Sequence, residues 1–273
     1  MTDFERIKNY YCIFDEQGRL AQDEGRLEYE ISLKIICNYI SPNSKILDLG
    51  GGAGRYSIEL AQRGHSVVLA DLSPALLEQA QKYIYDNSLC PLESIDEVNA
   101  LDLSRYSNET FDYVILFGPL YHLLEKSERE QCVSEVNRVL KKDGMVFASF
   151  IPYLSGISAL VDRAIHRPEQ CDSGSLVESI KTNKFHNNSQ FGFQEGYYPE
   201  SKEIVALFDF CGFDKLLLRS IRGVGYEKER EIFEIETQNP LLFEKIFDLI
   251  ESTSERQEII ETCSHALYVG KKK

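Results

Sequence analysis

Short apolar runs and amphipathic stretches alternate along the first half of the chain. Ile46, Leu47 and Leu49 form a run too short for a helix, preceded by a Ser-Pro-Asn-Ser turn and followed by glycines, which predicts a buried strand. Helical spacing follows over residues 56–63, through Ser57, Leu60 and Ala61. A second strand is expected over residues 66–70 and a helix over 75–85, with Ser73 placed to cap it and Pro74 in its first turn. Further strands are expected near 93–98, over 111–117 and over 145–151. Between the last two runs a helix through Leu140, with Cys132, Val133, Val136 and Val139 on its buried side. Ser127 and Glu130 stand at capping-box spacing for that helix, and Asp143 and Gly144 turn the chain out of it. Strands alternating with amphipathic helices predict an α/β architecture, a doubly wound, mostly parallel sheet covered on both faces.

The pattern changes outside this region. Residues 2–40 read as helix, with Leu27, Ile31, Ile35 and Ile36 at helical spacing and a break at 15–18. Tyr10, Tyr11 and Phe14 make the first piece aromatic. Residues 152–200 have little apolar periodicity and include an aromatic-rich stretch over 185–198, which predicts a long irregular insertion with a binding role. A helix from Ser201 to Phe210 is expected to end at Gly212, with a sixth strand over 216–224, a helical insertion over 228–262 and a closing strand over 266–270.

Composition narrows the function. A net charge of -14 argues against a nucleic-acid partner, because phosphate binding needs clustered Lys and Arg. The seven cysteines form no C-x-x-C pair or Cys/His cluster, so neither a metal site nor a disulfide framework is expected. The polar N-terminus and the lack of long apolar runs predict a cytoplasmic protein with no membrane partner. The sequence leaves the oligomeric state open.

The chemistry concentrates in the loop after the first strand, where Gly50, Gly51, Gly52 and Gly54 surround Ala53. Without side chains, such a loop lets backbone N–H groups at a helix start approach a nucleotide-like ligand. A dinucleotide fingerprint would place glycine at the sixth position, but counting from Gly50 gives Arg55 and counting from Gly52 gives Ser57. Asp48 lies two residues before the first glycine, where a carboxylate pairs well with a bound cation. Asp71 closes the second strand about 20 residues later, at the place where an acid accepts hydrogen bonds from ribose hydroxyls.

The segment from Leu47 to Gly54 resembles the first motif of class I S-adenosylmethionine-dependent methyltransferases. The resemblance implies a Rossmann-like seven-stranded sheet with helical cap insertions and S-adenosylmethionine as cofactor. It also implies that the glycine loop lies along the methionine moiety, with Asp48 near its amino group and Asp71, with Leu72 beside it, at the ribose. Asn99 and Ala100 would meet the adenine, Asn99 standing where the family commonly has an acid, with Asp102 as an alternative. The fourth strand would end at the reaction centre, so Phe117 and Gly118 would adjoin the cofactor, Tyr121 the acceptor pocket, and His122 would serve as general base. Tyr11 would cover the cofactor, and Arg19 and Arg26 are considered for its carboxylate, although surface pairing with the acids of residues 1–40 is the commoner role for either one.

These implications divide the chain into an N-terminal lid over 1–40, a cofactor-binding core over 41–151, a substrate cap over 152–200, and a C-terminal part of the sheet over 201–273. The expected reaction is direct in-line methyl transfer to a small-molecule acceptor. A protein acceptor, less readily RNA, and a non-catalytic cofactor-binding module are the competing readings.

Overall fold

The computed structural model describes residues 2–13, 23–186 and 195–273. The break expected at 15–18, Phe14, Arg19, and Phe191 and Phe193 of the aromatic stretch lie outside them. Two helices open the fold, α1 (Phe4–Ile13) and α2 (Asp23–Tyr39). The core then runs β1 (Lys45–Leu49), α3 (Arg55–Gln62), β2 (Ser66–Asp71), α4 (Pro74–Asp86), β3 (Ser94–Glu97), β4 (Phe111–Leu116), the short α5 (Pro119–His122), α6 (Lys126–Val139) and β5 (Leu140–Phe150). Next come α7 (Tyr153–His166), α8 (Ser173–Thr182), a hairpin of β6 (Lys184–His186) and β7 (Glu195–Tyr197), and α9 (Ser201–Phe210). The chain closes with β8 (Phe213–Ser220), α10 (Glu229–Gln238), α11 (Pro240–Thr253), α12 (Gln257–Thr262) and β9 (Ala266–Lys272).

Seven strands form the main sheet in the order β3-β2-β1-β4-β5-β9-β8. The first five are parallel, and β9 runs antiparallel between β5 and β8. The seven-stranded, mostly parallel sheet expected from the alternating pattern is therefore present. Its strands read as continuous apolar runs because both faces are buried. Leu47 and Leu49 of β1, Val114 and Leu116 of β4, and Val133 and Val136 of α6 belong to one core. Ile46, Ile115, Leu60 of α3, and Leu27, Ile31, Ile35 and Ile36 of α2 form the other. Ile232 and Phe233 of α10 and Ile250 of α11 join that second core, so the 228–262 insertion packs against α2 and the sheet.

Several local expectations need correction. The capping box of α6 is Glu125 with Glu128, not Ser127 with Glu130. Tertiary contact selects it, since Glu128 also accepts from the Thr2 N–H at 2.9 Å and the Thr2 hydroxyl at 2.5 Å. Ser73 occupies the N-cap position of α4, but its side chain makes no cap bond. The sixth strand in sequence reads too late, because β8 ends at Ser220 and residues 223–225 turn against Ile250. The 152–200 segment is not irregular where described. Leu160 is the buried apolar side chain of α7 while Leu154, Val161 and Ile165 are exposed, so its periodicity gave no core-facing stripe.

Candidate functional site

The order reversal of a doubly wound sheet falls between β1 and β4, where β1 leads to β2 and β3 on one side and β4 leads to β5 on the other. Ligands of such sheets bind beyond the carboxyl ends of the strands at that point. A cavity of about 770 Å3 opens there. Asp48, Gly50, Gly51, Gly52, Asp71, Leu72, Asn99, Ala100, Phe117, Gly118, Tyr11, Tyr121 and His122 all border it. Gly54 and Asp102 do not. Gly54 instead caps α3, where a Cβ would crowd Leu69 at 3.1 Å and Ala80 at 3.3 Å.

The glycine loop is shaped by what surrounds it. Gly50 has φ +80°, and a Cβ there would fall 2.5 Å from the Pro119 ring and 2.9 Å from the Phe117 carbonyl oxygen. At Gly51 a Cβ would strike the Asp48 carboxylate at 2.6 Å. Gly52 donates its N–H to Asp71 Oδ2 at 2.9 Å, and Ser73 donates its N–H to Asp71 Oδ1 at 2.8 Å. Asp71 thus ties the loop to the end of β2 at the border of the cavity. Asn99 turns its side-chain oxygen to the Leu101 N–H at 3.0 Å, an Asx turn that leaves its NH2 as the group for a ligand.

Asp48 is fully buried in β1. Ser57 of α3 donates to its Oδ2 at 2.6 Å, while its Oδ1 has no hydrogen-bond partner among the described residues. Burial raises its pKa to about 6, with the nearby Asp71 charge adding to the rise and the Ser57 hydroxyl opposing it. An orphaned, desolvated carboxylate oxygen calls for a cationic or strongly donating group.

An aromatic wall faces the loop. Tyr29 of α2 packs on Tyr56 with ring centroids 5.1 Å apart, Tyr56 packs edge-on to Phe117 at 5.2 Å, and the Arg55 guanidinium lies 3.8 Å over the Tyr29 ring. Helix α1 crosses the cavity mouth. Lys8 pairs with Glu97 at the end of β3 at 2.9 Å, and the Tyr11 hydroxyl bonds His122 Nε2 at 2.9 Å on the β4 side. Tyr10 faces a separate small cavity, and Arg26 is held by Glu30 and Glu236 away from the main one.

Burial pushes the His122 imidazole down to about 3. Burial thus depresses the basicity that the expected general-base role of His122 depends on, and its bond to Tyr11 ties it to α1. Tyr121 stands beside it, ring centroids 5.0 Å apart.

Four bordering residues with chemistry, Glu28, Arg55, Ser149 and His265, carry no motif in the sequence. His265 Nδ1 lies 3.1 Å from Glu28 Oε2. His265 precedes β9, and Ala266 pairs with Phe150 at the carboxyl end of β5, so the antiparallel direction of β9 delivers its first residues to the ligand edge. That reversal was the only available signal. No described residue of 152–200 or 228–262 borders the cavity. Among the described residues no His, Cys, Asp and Glu group is set to hold a metal, and no helix is long and apolar enough to cross a membrane.

A family model described as a methyltransferase domain matches residues 46–144. The ubiquinone/menaquinone biosynthesis C-methyltransferase of Zymomonas mobilis is 36% identical over 103 residues, 37% of this chain and 40% of that protein. The glycine/sarcosine N-methyltransferase of Parasynechococcus marenigrum is 31% identical over 119 residues, 42% of each chain. The match thus spans about two fifths of the length of these curated relatives. A Pyrococcus horikoshii protein of known structure shares the fold with a TM-score of 0.64 and 21% identity, over 97% of this chain and 99% of its own. A Methanosarcina mazei structure described as a SAM-dependent methyltransferase does so with a TM-score of 0.62 and 18% identity, over 87% and 96%. The fold is Rossmann-like. Residues 46–144 resemble a methyltransferase domain, and the chain as a whole shares the fold of these solved structures.

Proposed function

We propose that this chain is a methyltransferase that uses S-adenosylmethionine to methylate a small-molecule acceptor by direct in-line displacement. The observation that carries the reading is the unpartnered Asp48 Oδ1 beside a glycine loop where a Cβ at Gly50 or Gly51 would have no room. Such a cradle suits a slender chain ending in an ammonium group. Asp48 would take that ammonium, Arg55 the neighbouring carboxylate, Asp71 the ribose hydroxyls, and the Asn99 NH2 with the Ala100 backbone the adenine. When bound, the cofactor supplies an already activated methyl group on a sulfonium sulfur. What remains for the protein is to orient an acceptor, exclude water and accept a proton where the nucleophile carries one.

The size and composition of the chamber favour a small acceptor. At about 770 Å3 it falls in the range of small-molecule sites, and α1 narrows its mouth. Tyr121, Phe117 and Tyr56 would wall the acceptor, with α1 and α2 serving as the lid. A net charge of -14 disfavours a nucleic-acid acceptor. Calorimetry with S-adenosylmethionine and S-adenosylhomocysteine tests the cofactor assignment, and a metabolite screen that reads S-adenosylhomocysteine tests the activity. Absence of binding by either ligand, or tighter binding of NAD, would overturn the proposal.

A further inference from the structure

The catalytic proton acceptor expected on the β4 side, His122, is desolvated and tied to Tyr11. A second histidine borders the same cavity, on the same side of the switch point as His122 but farther along the sheet, where β9 meets the end of β5. His265 Nδ1 sits 3.1 Å from Glu28 Oε2, and both side chains are mostly enclosed, at 18% and 12% exposure. Ser264 Oγ approaches the same nitrogen at a longer 3.4 Å. Nothing among the described residues bonds Nε2, and the Tyr121 ring centroid lies 6.1 Å from the imidazole. The residues come from distant places in the chain, α2 and the start of β9, and meet only because β9 runs antiparallel.

We propose that His265 is the general base of this site and that Glu28 positions it. The inference rests on the methyltransferase reading for its reaction, though not for its geometry. A carboxylate bonded to Nδ1–H fixes the imidazole tautomer whose Nε2 carries the free lone pair, and it stabilises the imidazolium once formed. With an acceptor X–H in the chamber beside Tyr121, the X–H bond breaks and the proton passes to Nε2, while the electron pair on X forms the X–CH3 bond as the S–CH3 bond breaks and leaves its pair on sulfur, giving S-adenosylhomocysteine. The imidazolium then returns the proton to solvent after the product leaves. The acceptors that need such help are hydroxyls, phenols and acidic carbons, and these are the class the dyad selects.

The test has two arms, both on the full-length protein with S-adenosylhomocysteine as the probe. In the first, imidazole nitrogen NMR of the 15N-histidine-labelled protein identifies the His265 tautomer, with His265→Asn used to assign its signals. The expected result is a protonated Nδ1 and an unprotonated Nε2 at neutral pH, with Glu28→Gln shifting the population toward the other tautomer because its amide can donate to Nδ1. A protonated Nε2 in the neutral ring, or no response to Glu28→Gln in a variant that keeps its wild-type melting temperature, overturns the proposal. The second arm measures single-turnover methylation of a panel of phenols, quinols, amines and thiols. His265→Asn should bind S-adenosylhomocysteine as wild type does and yet lose about 10² to 10⁴-fold in rate on hydroxyl or carbon acceptors. Wild-type rates in that variant sink the idea. Should no acceptor in the panel react, the tautomer decides alone; should S-adenosylhomocysteine fail to bind, the methyltransferase reading falls while the tautomer result on the free protein still judges the dyad.

Discussion

The backbone N–H of Gly52 is bonded to the Asp71 carboxylate at 2.9 Å, so the glycine loop after β1 and the end of β2 form one rigid unit. Asp71 therefore does two things at once. It shapes the loop through Gly52 and Ser73, and it borders the cavity.

This double role makes Asp71→Ala more damaging than the loss of ligand bonds alone. Two buried backbone N–H groups lose their acceptor, and hydrogen bonds to a charged group contribute about 1.5 to 3 kcal/mol each. Affinity for S-adenosylmethionine should fall at least about tenfold, and the melting temperature should drop with it. Calorimetry and thermal unfolding of the same preparation check both; an unchanged affinity would remove Asp71 from the ribose site.

Asp48 gives the pH dependence. With its pKa raised to about 6 in the free protein, the carboxylate is mostly protonated at pH 5 and mostly ionised at pH 7. A bound ammonium favours the ionised form, so ligand binding at pH 5 must first release a proton. Apparent affinity for S-adenosylhomocysteine should rise about tenfold between pH 5 and pH 7 in wild type and stay flat in Asp48→Asn. Stability runs the other way. Because the folded value lies above the unfolded one, near 3.8, the group's stabilising contribution is complete below pH 4 and is lost as pH rises through 6. The Asp48→Asn protein should gain thermal stability relative to wild type over that window while binding ligand more weakly at pH 7. Parallel pH series of melting temperature and calorimetry read both signs, and a wild-type affinity that is flat across the window would show that Asp48 does not meet the ammonium.

How much of this was legible in the chain follows from where each signal resides. The strands were readable because burial on both faces makes them apolar without interruption, as in Ile46, Leu47 and Leu49. Asp48, Asp71 and the glycines stood out because a tight loop and a strand end constrain residue type within a few positions, and the structure gathers all but Gly54 at one cavity. Glu28 and His265 were not, because each looks ordinary in its own segment, one on a polar face of α2 and the other just before an apolar strand. Only the strand order brings them together. The basicity of His122 was likewise invisible, since it is set by enclosure from residues over a hundred positions away, Tyr11 among them. The 152–200 segment misled for a different reason: its helices leave Val161 and Ile165 exposed, and a helix without a clean buried stripe has no period to read.

The Tyr11–His122 bond carries the last prediction, because it separates an anchor from a base. Helix α1 is fastened by this bond, by the Lys8–Glu97 and Arg6–Glu195 pairs, and at its start by Thr2 on Glu128. Exposed ion pairs contribute little, so toward its C-terminal end the Tyr11 contact is the main tether. Removing the hydroxyl in Tyr11→Phe costs about 1 kcal/mol, which corresponds to roughly fivefold faster amide exchange within residues 4–13. Cofactor binding to wild type should add protection to α1 and to the start of α2, and none to α7 or α8, whose described residues stay clear of the cavity. His122→Asn should resemble Tyr11→Phe, with faster α1 exchange and a loss of turnover below about tenfold, because an imidazole held near 3 offers little basicity at pH 7. If His122→Asn instead lost a hundredfold or more in turnover while α1 exchange stayed at wild-type rates, proton abstraction would belong to His122 and the anchoring role would be wrong.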